Sequence, residues 1–253
     1  MTAPPTAPAT ATLRAADGTR IEAHHDPSLV DTDLAVLVAH GFTGSWRRPS
    51  VRRAASAFTT AGTGVVSLDF RGHGASGGAS TVGDAEVLDV VAAIAWAHEL
   101  GYARVSTVGF SMGASVVVRH AGLHPGVFAV VAVSGPSRWY YRGTPAMRRV
   151  HWVIERPLGR LVSRVALRTR ISAHGWTIVP EPPNVLAARI APTPLLVVHG
   201  DADHYFPVEH GEALYAAAAE PKELWIEPGF GHAENAATPE LLSRIAAWLL
   251  RHS

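Results

Sequence analysis

The sequence predicts an α/β fold: a mostly parallel sheet covered by helices on both faces. Three observations carry that expectation. Short continuous apolar runs such as "LAVLVAHG" (34–41) and "TPLLVVHG" (193–200) have the composition of strands buried on both faces. Segments with apolar residues at helical spacing stand between such runs. The alternation repeats along most of the 253 residues, as it does when crossover helices join parallel strands.

The first element is different. "ATLRAADGTRIEAHH" (11–25) reads as a hairpin turning at Asp17-Gly18. The strand 34–41 follows, then a helical segment near 48–61 and the strand "GVVSLDF" (64–70). Residues 81–100 show helical periodicity, with Val87, Val91, Ile94 and Ala95 on one side. "RVSTVGF" (104–110) is the next strand, "MGASVVVRHAG" the next helix, and "VFAVVAVSG" (127–135) the strand after it. The pattern resumes with the strand at 193–200, a helix near 208–219, the strand "KELWIEPG" (222–229) and a helix over 239–251.

Residues 136–190 break the alternation. They are rich in Arg, Trp, Tyr and Pro, helical only in pieces, and inserted where active sites of such sheets form, so they read as a cap or lid. The expected organisation is a disordered Pro/Ala/Thr tail over 1–11, a core built from 12–135 and 191–253, and a cap over 136–190. The tail has neither the basic nor the apolar region of a secretory signal.

Composition narrows the function classes. A hydrophobic content of 47% and a charged content of 17% describe a globular chain with a generous interior. The net charge of +1 argues against a general nucleic-acid binder. With no cysteine, disulfides, thiolate metal sites and thiol nucleophiles are excluded, which fits a reducing cytoplasm. No apolar run approaches the ~20 residues that span a bilayer.

Chemistry enters at "GFSMG" (109–113), a G-x-S-x-G pattern at an expected strand-to-helix junction. A turn that crowds backbone against the next strand and helix tolerates little beyond glycine two residues either side of Ser111. The serine is then held in a strained conformation with its hydroxyl exposed. A serine hydroxyl is a poor nucleophile near neutral pH, so a base and an orienting acid must accompany it. Beyond later strands stand "HGDADHYFP" (199–207) and "GFGHAEN" (229–235), and the chain order is Ser…Asp…His.

Four motifs carry a resemblance: "AHGFTGS", "DFRGHGASGG", "GFSMGA", and "HGDADHYFP" paired with "GFGHAEN". On them the chain resembles the α/β-hydrolase superfamily in its esterase- and lipase-like branch, over residues 12–253 except the cap. The resemblance implies that Ser111 is the nucleophile, His232 the general base and Asp203 the triad acid, with Asp201 the rival acid. It implies oxyanion donors at the backbone N–H groups of Phe42 and Met112, a loop shaped by His40, and a structural role for Arg71. It implies a small-molecule ester substrate and no cofactor. The elbow serine separates the chain from relatives that use an aspartate there. C–C bond hydrolysis or thioester hydrolysis stays open on the same residues, as does a catalytically silent ligand-binding module. His199, Asp201, Asp203, His204 and His232 lie near one another in sequence but lack a ligand spacing such as HExxH, so no metal site is expected.

The cap adds two expectations. Trp139, Tyr140, Trp152 and Trp176 are candidates for an acyl pocket, with Tyr141 beside them. Nine arginines and one acid, Glu155, lie between Arg138 and Arg170, a local balance of +8. Arg156, Arg160, Arg164 and Arg168 recur every fourth residue beside an apolar face of Leu158, Leu161, Val162 and Val165 on a helix beginning near Pro157. That face is expected to pack on the core beneath a solvated arginine stripe. The alternative is a surface that attracts anionic lipid or an anionic substrate.

Overall fold

The computed structural model describes residues 4–253. Ala9–Arg14 (β1) and Arg20–Asp26 (β2) form the antiparallel hairpin, and Gly18 takes the left-handed φ of +83° that its tight turn requires. The tail expected over 1–11 is therefore shorter, because Ala9, Thr10 and Ala11 already pair with His25, His24 and Ala23. Residues 1–3 of that expectation lie outside the described residues.

The chain continues through Leu34–Ala39 (β3), Pro49–Thr60 (α1), Gly64–Leu68 (β4), Glu86–Glu99 (α2), Arg104–Phe110 (β5), Met112–Leu123 (α3) and Val130–Val133 (β6). Pro145–Glu155 (α4), Pro157–Ala166 (α5) and Pro183–Ala187 (α6) follow. Then come Leu195–Gly200 (β7), Glu209–Ala217 (α7), Lys222–Glu227 (β8), Ala233–Ala236 (α8) and Pro239–His252 (α9). The eight strands lie in the order β1-β2-β4-β3-β5-β6-β7-β8, parallel from β4 to β8. Strand order reverses between β3 and β5, and the crevice beyond their carboxyl ends is where such sheets bind ligands.

The central strands bury both faces. Ala35, Leu37 and Ala39 join the core under α2 and α3, while Val36 and Val38 join the core under α1 and α9. Of the four residues that the sequence places on one side of 81–100, Val87 is buried in the core. Val90, Ala93, Trp96 and Ala97 are buried, Val91 and Ile94 only half-buried, and Ala95 is exposed. Two acids ride on the same inner face, which a purely apolar count misses. The Asp89 carboxylate pairs with Arg71 at 2.7 Å, and Glu86 accepts backbone N–H groups from Thr81, Val82 and Gly83.

The insertion between β6 and β7 is in two parts. Helices α4 and α5 stand over the sheet end, whereas α6 belongs to the main layer. Leu186 and Ala187 are buried, and a Cβ on Gly122 of α3 would come within 2.5 Å of the Leu186 carbonyl. Arg170 ties the insertion down by exchanging backbone hydrogen bonds with Gly72 and Ser80, each at 2.7 Å. Gly72, at φ +75°, must be glycine, since a Cβ there would sit 2.3 Å from the Arg170 carbonyl. Only Arg160 and Arg164 of the arginine stripe lie within α5, because Arg156 caps it and Arg168 falls beyond its end. Its apolar face does not pack on the core. Leu158, Leu161, Val162 and Val165 are 60%, 56%, 40% and 74% exposed.

Candidate active site

Strand β5 delivers Ser111 to the first turn of α3 at φ 52°, ψ −115°, a left-handed conformation costly for a non-glycine residue. The flanking glycines make it possible. A Cβ on Gly109 would lie 2.3 Å from the Gly113 carbonyl, and one on Gly113 would lie 2.3 Å from the Ala39 carbonyl of β3.

Three side chains from three loops meet at this turn. His232 Nε2 is 2.9 Å from Ser111 Oγ, and His232 Nδ1 is 2.7 Å from Asp203 Oδ2. The other oxygen, Asp203 Oδ1, accepts the N–H groups of Tyr205 at 2.8 Å and Phe206 at 3.1 Å. Burial works to raise the Asp203 carboxyl, but the His232 contact and these N–H groups outweigh it and hold the group below its ordinary value. An ionised Asp203 accepts only, so Nδ1 carries the proton and Nε2 is free to accept from the Ser111 hydroxyl. Asp201 does not reach His232. Its Oδ1 accepts the Gly229 N–H at 2.6 Å, bracing the turn that precedes the histidine.

The loop after β3 is fastened on both sides of Phe42. The Gly41 N–H donates to Glu234 Oε1 at 3.1 Å, and the Gly41 carbonyl accepts from His40 Nδ1 at 2.7 Å. Thr43, at φ 63°, donates its N–H to His73 Nε2 at 3.2 Å. Both imidazoles are neutral by their bonding. His40 Nε2 accepts the Phe70 N–H at 3.1 Å, so its proton sits on Nδ1, and His73 Nδ1 donates to the Arg71 carbonyl at 3.0 Å. Burial pushes His40 down to about 3 and lowers His73 as well. Between the fastened residues, the Phe42 N–H has no hydrogen-bond partner among the described residues, and the same holds for the Met112 N–H at the start of α3.

A cleft of about 1060 Å³ opens above this floor, walled by residues of the insertion between β6 and β7. Trp139, Tyr140 and Trp176 line it together with Tyr141, Ile154 and Phe206. Trp139 and Trp176 pack at 5.2 Å and anchor their indole N–H groups on the carbonyls of Pro180 and Thr81. Trp152, expected beside them, is outside the cleft. It lies on the outer side of α4, 44% exposed, near Arg148. Its helical position turns it away from the sheet, and a count of aromatics does not carry that orientation. Arg71 is buried on Asp89 and Asp17 and does not line the cleft.

Two residues at the site were not singled out in the sequence. Glu234 is a 6%-exposed acid on α8 that lines the cleft; a Cβ on Gly41 would come within 3.3 Å of its two oxygens and of Ser111 Cβ. Ser134, buried at the end of β6, accepts the Ala233 N–H at 3.0 Å and so steadies the residue after His232. An acid two residues past the histidine was the visible signal for Glu234. Nothing local marks Ser134.

Fold and site together define an α/β hydrolase of the esterase- and lipase-like branch. The chain belongs to the hydrolase family described as serine aminopeptidase, S33, whose model matches residues 31–181. It is similar to a monoacylglycerol lipase of Mycolicibacterium smegmatis, 28% identical over 264 residues, which cover 88% of this chain and 90% of that one. An uncharacterised protein of Mycobacterium tuberculosis is 30% identical over 213 residues, covering 82% of this chain and 64% of its own length. Among solved structures, an esterase of Pyrococcus furiosus superposes with a TM-score of 0.77 at 25% identity, covering 98% of this chain and 92% of that one. An α/β hydrolase of Penicillium sp. sh18 has the same fold, with a TM-score of 0.77 at 18% identity and coverage of 97% and 99%.

Proposed function

We propose that the protein is a serine hydrolase that cleaves a carboxylic ester through an acyl-enzyme. The observation that carries this reading is the Ser111–His232–Asp203 relay, at 2.9 and 2.7 Å, in one cleft with Phe42 and Met112, whose backbone N–H groups have no hydrogen-bond partner among the described residues. Ser111 Oγ attacks the ester carbonyl carbon while its proton passes to His232 Nε2. The carbonyl oxygen becomes an oxyanion that accepts hydrogen bonds from Phe42 and Met112, and each such donor contributes about 3 kcal/mol to lowering the barrier. The intermediate collapses, the C–O bond to the alcohol breaks, and the alcohol leaves with the His232 proton. Water then attacks the acyl-enzyme with His232 as base, releasing the acid and restoring the serine. Asp203 keeps the imidazole in its working tautomer and balances its charged form.

The aromatic cleft suits an apolar acyl group, and the named lipase and esterase among the similar proteins support an ester over other acyl substrates. A fluorophosphonate probe should label the wild type on Ser111 and leave Ser111→Ala unlabelled. Absence of labelling in the folded wild type would remove the reading.

A further inference from the structure

Helix α5 faces the wrong way for a helix that only closes a cleft. Its inner side is narrow and small. Gly159 approaches the Trp152 carbonyl so closely that a Cβ would lie 2.4 Å from it, and buried Ser163 donates to the Thr169 carbonyl at 3.0 Å. The opposite side carries Leu158, Leu161, Val162 and Val165, at the i, i+3, i+4, i+7 spacing of one continuous face. All four are exposed. Apolar residues exposed singly are ordinary, whereas a whole exposed helical face marks a surface that meets something.

Charge says what would cover it. The row beside this face carries Arg160 and Arg164, extended by Arg156 and Arg168 at the two ends, and α5 has no acid. The one acid of the segment, Glu155, is taken by Arg142 and His151. Among the described residues Arg148, Arg149, Arg156, Arg164 and Arg168 have no carboxylate partner, so the +8 of the segment is largely uncompensated. A second copy docked about a two-fold axis would set this patch against itself, bringing both excesses of positive charge together. A convex apolar ridge flanked by guanidinium groups fits instead the boundary between anionic headgroups and acyl chains.

We propose that α5 docks on an anionic phospholipid surface, with Leu158, Leu161, Val162 and Val165 inserted among the acyl chains and the flanking arginines on the headgroup phosphates. Arg160 and Leu167 of the same segment also line the cleft, so the docked helix forms one wall of the cleft. The inference goes beyond the ester reading and does not depend on it, since binding is measured apart from turnover.

The test is co-sedimentation with vesicles of phosphatidylcholine alone and of phosphatidylcholine mixed with phosphatidylglycerol, at low and high salt. Wild type should sediment with the anionic vesicles only, and high salt should release it. Leu161→Ser with Val165→Ser should abolish binding. Arg156→Gln with Arg164→Gln should weaken it by about five-fold for each arginine removed. None of the four residues lines the cleft, so both variants should turn over a short water-soluble ester as wild type does, showing that they fold. Equal binding to both vesicle types, binding unchanged in both variants, or a wild-type dimer in sedimentation velocity that Leu161→Ser with Val165→Ser dissociates would each overturn the proposal.

Discussion

Acidification should destabilise this protein through its buried histidines. His40 and His120 are buried; burial pushes His40 down to about 3, and burial with His124 beside it pushes His120 down to about 4. The unfolded chain takes up a proton near the ordinary value of 6.5, whereas the folded chain does not until those lower values. Stability is therefore fully present above 6.5 and is lost as pH falls toward the folded values. Each pH unit inside that window costs about 1.4 kcal/mol per histidine, so at pH 5 each removes roughly 2 kcal/mol. Against a typical domain stability of about 5–15 kcal/mol, the two together remove a large share. Urea unfolding at pH 7 and pH 5 measures the loss, and His120→Leu isolates one contribution. That variant stays buried and cannot titrate, so its loss between the two pH values should be smaller than that of wild type by about 2 kcal/mol. An equal pH dependence in the two proteins would refute the assignment of a neutral, buried His120.

The remaining predictions concern the site and its supports. Asp203→Asn should lower kcat by up to ~10⁴-fold, because a neutral amide neither fixes the His232 tautomer nor balances its charge. Asp201→Asn should cost far less, as steady-state kinetics on one ester will show for both. Glu234→Ala leaves the Gly41 N–H without its acceptor and should reduce kcat about ten-fold or more by loosening the oxyanion loop. Glu234→Gln keeps an acceptor there and should retain most activity. Arg71→Met strands the buried Asp89 carboxylate and should destabilise the fold by about 3–5 kcal/mol in urea unfolding.

Much of this architecture was legible because burial writes itself into composition. The six-residue runs of β3 and β7 are dominated by apolar residues since both faces of each strand are covered, and a strand with one wet face would alternate instead. The elbow was legible for a steric reason: backbone within 2.3 Å of two virtual Cβ atoms leaves only glycine. What failed to show were decisions made by partners distant in the chain. Glu234 meets Gly41 across 193 residues, and no local pattern encodes that meeting. The full buried face of α2 is not legible either, because Asp89 and Glu86 read as surface residues until Arg71 and the 81–83 backbone are brought to them. Helix α5 shows the converse. Its amphipathic spacing predicts an apolar face but not what covers it, and the core does not.

The central claim is that Ser111 carries the acyl group during turnover. Acid-quenched mass spectrometry of the enzyme during hydrolysis of a p-nitrophenyl ester tests it most directly. The mechanism predicts an added acyl mass on the peptide containing Ser111, its growth coinciding with a burst of p-nitrophenol, and no such adduct in Ser111→Ala. Undiminished turnover by Ser111→Ala, or an acyl adduct on a residue other than Ser111, would contradict it.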